Sequence, residues 1–230
     1  AAVNYDLYWL GYRRERAAWL SFTGEENRQT FGGRLGGIFA DDQGFFDLEA
    51  ALQTGTVGEA GVLAAMLAAQ LGYTFRADSL APRVYTGLDY GSGDEDPGDS
   101  DIGTFNQLFP LGHAYLGFID IVGCQNIVDW SVGASIFPFP KTRFAADLHN
   151  FWRASETDAL YNAGGGVVRV GGPGISRRVG SEIDLTISRP VNRHLLFTGG
   201  FSHFFTAGFL RESGPGEAIN FLFGQIQATF

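Results

Sequence analysis

The chain has 230 residues, 45% of them hydrophobic, with a mean hydropathy near zero and a formal net charge of -9. That is enough apolar material for one sizeable domain, yet the longest apolar run, 62–69, falls far short of the roughly 20 residues a helix needs to cross a bilayer. The acidic balance offers no basic stripe to neutralise phosphates, which excludes nucleic acid as a partner, and the single Cys124 has no internal disulfide partner.

Taken in chain order, period-2 alternation predicts about ten strands, at 3–12, 28–39, 45–53, 62–75, 83–90, 127–137, 143–153, 178–189, 194–204 and 219–230. In the third, Phe46, Leu48 and Leu52 oppose Asp47, Glu49 and Gln53. The fourth reads almost as well as an alanine-rich helix, but Leu63, Leu67, Leu71, Tyr73 and Phe75 alternate with Val62, Ala64, Met66, Ala68, Gln70 and Thr74, which favours a strand. Val84, Leu88 and Tyr90 oppose Arg83 and Asp89 in the fifth, and Val128, Trp130, Val132 and Ile136 oppose Asp129, Ser131 and Ser135 in the sixth. The seventh sets Phe144, Ala146, Leu148 and Trp152 against Arg143, Asp147, His149 and Arg153. In the eighth, Val179, Ile183, Leu185 and Ile187 lie opposite Arg178, Glu182, Asp184, Thr186 and Ser188. The last segment puts Leu222, Gly224, Ile226, Ala228 and Phe230 on one face and Phe223, Gln225, Gln227 and Thr229 on the other, an ending suited to lipid on one side and water on the other.

Connections alternate in length. Those at 40–44, 76–82, 138–142 and 190–193 are short, 54–61 and 205–218 are medium, and 12–27, 91–126 and 154–177 are long. A membrane barrel with short periplasmic turns and long external loops has this rhythm, which places Phe230 on the periplasmic side. Trp9, Tyr90 and Trp152 fall towards the outer rim, and Tyr5, Tyr73, Phe75 and Phe230 towards the inner one, as interfacial aromatic belts would. The expected fold is all-β, a transmembrane antiparallel up-and-down β-barrel with about ten strands, in one domain over residues 1–230.

Two loops stand out. Within 94–101 several carboxylates are close in sequence, but Gly98 is one place off a calcium loop counted from Asp94 and Phe105 stands where its twelfth ligand should be Glu. The following segment, 103–120, is too apolar to remain in water and is expected to fold inwards, constricting a pore or packing against its wall. No serine, histidine and carboxylate share a recognisable catalytic spacing around His113, His149, His194 or His203, and the glycines at 164–174 precede no helix that could bind a nucleotide phosphate. The chain reads as no enzyme, and no cofactor is expected.

The phrases PRVYTGLDYGSGDEDPGD, GTFNQLFPLGHAYLG, DLHNFWRASETDALYNAGGG, VGSEIDLTIS and GGFSHFFTAGFLRESGPG together resemble the bacterial alginate export family of outer-membrane porins. That resemblance implies an eighteen-stranded barrel, of which this chain would be the C-terminal part unless it is a shortened relative that closes by itself or with another chain, and outward diffusion of an anionic polysaccharide through an arginine-lined pore. Arg28, Arg34, Arg83, Arg143, Arg153 and Arg178 are the candidate solute contacts, since the guanidinium fork holds both oxygens of a carboxylate. Asp89, Asp147, His149 and Glu182 are expected to line the same interior, with Asp47, Glu49, Asp129 and Asp184, so each arginine is equally readable as half of a cross-strand ion pair. The implied partners are an anionic saccharide or other small anionic solute, outer-membrane lipid with lipopolysaccharide, and the barrel-assembly machinery acting through the strand that ends in Phe230. The implied location is the outer membrane of a Gram-negative bacterium. The alternative is an outer-membrane barrel without a transport role, a hydrolase or a structural or adhesive protein that works through its loops.

Overall fold

The computed structural model describes residues 2–20, 22–76, 79–113 and 115–229. Its strands are β1 (Ala2–Ala18), β2 (Thr23–Phe39), β3 (Gly44–Val57), β4 (Ala60–Thr74), β5 (Arg83–Gly91), β6 (Asp101–Ile102), β7 (Ile127–Phe139), β8 (Thr142–Trp152), β9 (Leu160–Tyr161), β10 (Val167–Arg169), β11 (Arg178–Pro190), β12 (Leu195–Thr206) and β13 (Ile219–Ala228), with one short helix, α1 (Gly208–Glu212). Ten of these strands form an antiparallel meander in the order β1-β2-β3-β4-β5-β7-β8-β11-β12-β13, and each pairs with its neighbours in sequence among the long strands. The small β6 adds in parallel to Gly61 and Val62 of β4, while β9 and β10 make a separate ribbon.

The fold is therefore all-β and up-and-down. The sheet is curled, because Tyr8 and Leu10 of β1 border the same cleft as Leu196 and Thr198 of β12. It is not closed: among the described residues β1 and β13 each leave one edge without a strand partner. Phe230, expected to end the last strand on its apolar face, lies outside the described residues.

The two faces differ because strand side chains alternate. Outwards point Leu7 (82% exposed), Leu63 (72%), Leu222 (81%) and Ile226 (74%), together with Leu35, Leu48, Leu67, Leu88, Trp130, Leu148, Leu185 and Phe201. An apolar surface running over all ten strands far exceeds the few hundred Å² that a soluble monomer exposes. Inwards point Glu26, Arg28, Gln53, Asp129, Glu182, Asp184 and Ser202, all buried. The alanine-rich segment is β4 throughout, held in register between β3 and β5. Its inward Ala64 is small enough to let Phe105 pack against the wall together with Ala51.

One expected loop is absent. Of residues 12–27, most belong to β1 and β2, and only 19–22 turn the chain. The charges that read as a loop are paired across the hairpin instead: Arg13 donates through Nε and Nη2 to both Glu25 oxygens at 2.9 and 3.1 Å, and Arg14 to Glu26 at 2.9 Å. The medium connection expected at 54–61 likewise shrinks to the turn after Val57. Long connections remain after β5 and β8, at the same end of the sheet.

Candidate functional site: a polar cleft under an inward loop

The concave face encloses a cleft of about 1040 Å³. Across it lies the connection from β5 to β7, docked at both sides of the curl. At one side Gln53 of β3 holds Asn106, accepting its backbone N–H at 2.8 Å and donating to its carbonyl at 2.7 Å. Arg28 donates to the Thr104 carbonyl at 3.2 Å. At the other side Glu182 of β11 accepts the Ile119 N–H at 2.9 Å, and Phe118 stacks on Phe223 of β13 at 4.7 Å between centroids. Gly117 lets the loop approach so closely: its φ of 85° is left-handed, and a Cβ there would stand 2.5 Å from the Glu182 carboxylate. The apolar stretch expected to fold inwards does so, with Leu116 and Val122 joining Ile127, Phe151, Val179 and Phe204 in the main buried cluster.

A second lock joins this loop to the one after β8. The buried Asp158 carboxylate accepts the Asp94 N–H (2.9 Å), the Thr104 hydroxyl (2.6 Å), the Ala159 N–H (2.7 Å) and the Tyr161 hydroxyl (2.7 Å). Burial first and the Asp158 carboxylate second push the Tyr161 phenol well above its ordinary value. Burial likewise lifts Asp94 to about 6, against the pull of the Asp96 N–H and with help from the Asp158, Asp99 and Asp96 charges. In the acidic run the carboxylates serve their own backbone: Asp94, Asp96 and Asp99 each accept the N–H two residues on. Among the described residues, no three of His, Cys, Asp and Glu converge as a metal-binding set. Burial raises the Cys124 thiol to about 12, which leaves it inert at neutral pH.

The six candidate arginines separate into two groups. Arg34, Arg83 and Arg143 line the cleft. Arg34 is paired with Asp47 through two hydrogen bonds, and the Arg83 guanidinium lies 4.0 Å above the Phe45 ring. The other three do not line it. Arg28 is fully buried, bound to Glu26 at 2.9 Å and Gln53 at 2.8 Å beneath the docked loop. Arg153 is fully buried too, donating to the carbonyls of Glu156, Asp158, Ile175 and Ser176 and lying 4.0 Å over the Phe209 ring. Its burial lowers its pKa to about 10. Arg178 is exposed at the rim, because an extra residue between it and Gly180 puts it opposite the outward Trp152.

Asp89, Asp147 and His149 border the cleft, and Glu182 lies buried behind the loop. His149 Nδ1 is 2.7 Å from Asp129, and Tyr85 donates its hydroxyl to Asp147. Tyr8, which donates to Glu49 at 2.6 Å, and Tyr85 are wall residues that charge-based reasoning passed over; alternation alone places both on the polar face. Along the register Arg34 shares a cross-strand row with Glu49 and Asp89, whereas Arg83 and Arg143 sit next to the tight turns. No curated protein matches the chain. The family model described as alginate export matches residues 1–225, and the chain accordingly belongs to the alginate export family, a non-catalytic, export-associated group.

Proposed function

We propose that the chain forms wall and constriction of an outer-membrane β-barrel porin that passes an anionic polysaccharide of the alginate type, or a smaller anionic solute. The observation that carries this reading is the pairing of a continuous apolar outer face with a polar cleft lined by Arg34, Arg83 and Arg143. In a narrow low-dielectric channel such a set raises the local anion concentration. The unpaired edges of β1 and β13 are where further strands would complete the barrel, the eighteen-stranded form being the one the family resemblance implies. Lipid and lipopolysaccharide would cover the outer face, the long loops would be extracellular, and the last strand would be presented to the assembly machinery.

Neutralising Arg34, Arg83 and Arg143 together to Gln is expected to shift reversal potentials of the native polypeptide in a planar bilayer towards cation preference and to weaken block by an oligouronate. The shift should fade as salt rises, since the Debye length contracts to about 3 Å at 1 M. An unchanged reversal potential at low salt would leave the anion-export reading without physical support.

The outer face has its own test. Leu148 lies outwards near the middle of β8, opposite Val132 and Ile183, and Leu148→Arg is expected to destabilise the protein folded in lipid vesicles by about 2–4 kcal/mol, as at a bilayer midplane. A loss below about 1 kcal/mol in urea titration would mean that this face meets water rather than lipid.

A further inference from the structure

Behind the docked loop, where Glu182 meets Gly117 and Ile119, four wall oxygens have no donor from elsewhere among the described residues: Oε2 of Glu182, both carboxylate oxygens of Asp184, which lies within hydrogen-bond reach of Glu182, and Oγ of Ser202. All three residues are buried, at 0%, 1% and 0% exposure. Glu182 and Asp184 are two apart on β11 and share its inner face. Asp184 stands opposite Ser202 on β12, which brings facing Cβ atoms to about 5 Å, and Asp184 borders the cleft.

The surroundings supply little positive charge. From β8, Asp147 faces Asp184 and His149 faces Glu182, but the His149 Nδ1 is held by Asp129. From β12 and β13 come Phe204 opposite Glu182 and Phe221 opposite Ser202. The docked loop contributes the Ile119 N–H, which is spent on the other Glu182 oxygen. Arg143 lies further down β8, opposite Ser188. Buried carboxylates persist when paired, when they share a proton or when they coordinate a metal, and an all-oxygen set is what a hard cation takes.

We propose that Glu182, Asp184 and Ser202 form a binding site for a hard divalent cation, calcium in preference to magnesium, seated between β11, β12 and the docked loop. Calcium accepts irregular shells of six to eight oxygens, completed by water, whereas magnesium demands a near-ideal octahedron. Two carboxylates and a hydroxyl make a partial shell, which sets the affinity at the weak end, with Kd about 10⁻⁴–10⁻³ M. The cation neutralises the Glu182–Asp184 patch of the wall and stiffens the seat of Ile119 on Glu182. The site stands whichever solute the cleft passes.

The test is a calcium titration of the native polypeptide, folded in detergent micelles in chelator-treated potassium buffer, read by calorimetry and by the midpoint of heat-induced unfolding. One calcium should bind and raise the midpoint. Asp184→Asn should weaken binding about tenfold or more, and Ser202→Ala, which keeps every charge, should weaken it measurably with the fold intact. A loop variant carrying Asp96→Asn and Asp99→Asn should bind as the parent does. No binding at millimolar calcium, equal affinity for magnesium, full binding after Asp184→Asn, or loss of binding in the loop variant would each overturn the proposal. If Asp184→Asn fails to fold, Ser202→Ala decides alone, and unchanged affinity there would overturn it.

Discussion

Asp158→Ala is expected to cost about 4 kcal/mol, enough to release both long loops, because it strands four buried donors at once. The Asp94 N–H, the Thr104 hydroxyl, the Ala159 N–H and the Tyr161 hydroxyl all converge on that one carboxylate. Each unsatisfied buried donor costs about 1–3 kcal/mol, and relaxation with water entry recovers part of the sum. Asp158→Asn keeps one acceptor oxygen and should cost roughly half as much. The measurement is urea unfolding in lipid or detergent together with limited proteolysis: rapid cutting in 94–110 and 155–176 while the strands stay protected is the expected pattern. Parent-like protection of both loops would show that the apolar cluster around Phe151 and Phe204 holds them without the carboxylate.

Arg153→Met should be comparably damaging, at about 3–5 kcal/mol, while leaving ion selectivity unchanged. Its guanidinium gathers four backbone carbonyls from the loop after β8 and covers the Phe209 ring. Methionine fills the volume but donates nothing, so those carbonyls lose their partner in a place where Arg153 itself is fully buried. Arg143→Gln is the contrasting variant, because Arg143 borders the cleft and should alter selectivity at little cost in stability. Equal stability losses for the two variants, or a selectivity change from Arg153→Met, would contradict this division. It can be read from unfolding midpoints and reversal potentials on the same preparations.

Most of the sheet was legible from alternation. β3, β5, β7, β8, β11 and β12 begin and end within a few residues of where the apolar positions placed them, because one polar and one apolar face fix a period of two whatever lies beyond each face. The length of β1 and β2 was not legible, since Arg13, Arg14, Glu25 and Glu26 look like loop composition until register pairs them. Alternation also assigns a face without saying what covers it. Arg28 and Arg34 share the inner face of β2, yet the loop carrying Thr104 seals the first and leaves the second in the cleft. Arg178 failed for a local reason, a bulge that turns its side chain outwards. Arg153 failed because it stands one residue past the end of β8, where loop carbonyls rather than a pore await it. The inward course of 103–120 was legible because its apolar content had nowhere else to go, but its anchors, Gln53 and Glu182, depend on contacts far apart in sequence that no local pattern encodes.

The docked loop also sets an order of events. Every long strand pairs with its neighbour in the chain, so the meander can grow hairpin by hairpin from local encounters, which form quickly. The loop cannot seat on that schedule. Its contacts reach back 76 residues from Thr104 to Arg28 and forward 63 residues from Ile119 to Glu182, with Phe118 reaching on to Phe223 of β13, so its far anchors exist only once β11 and β13 have joined the sheet. The tie across the curl is therefore the last contact made as the molecule matures and the first surrendered when it loosens, and until it is made the wall is an unstrapped ribbon whose width is free to vary.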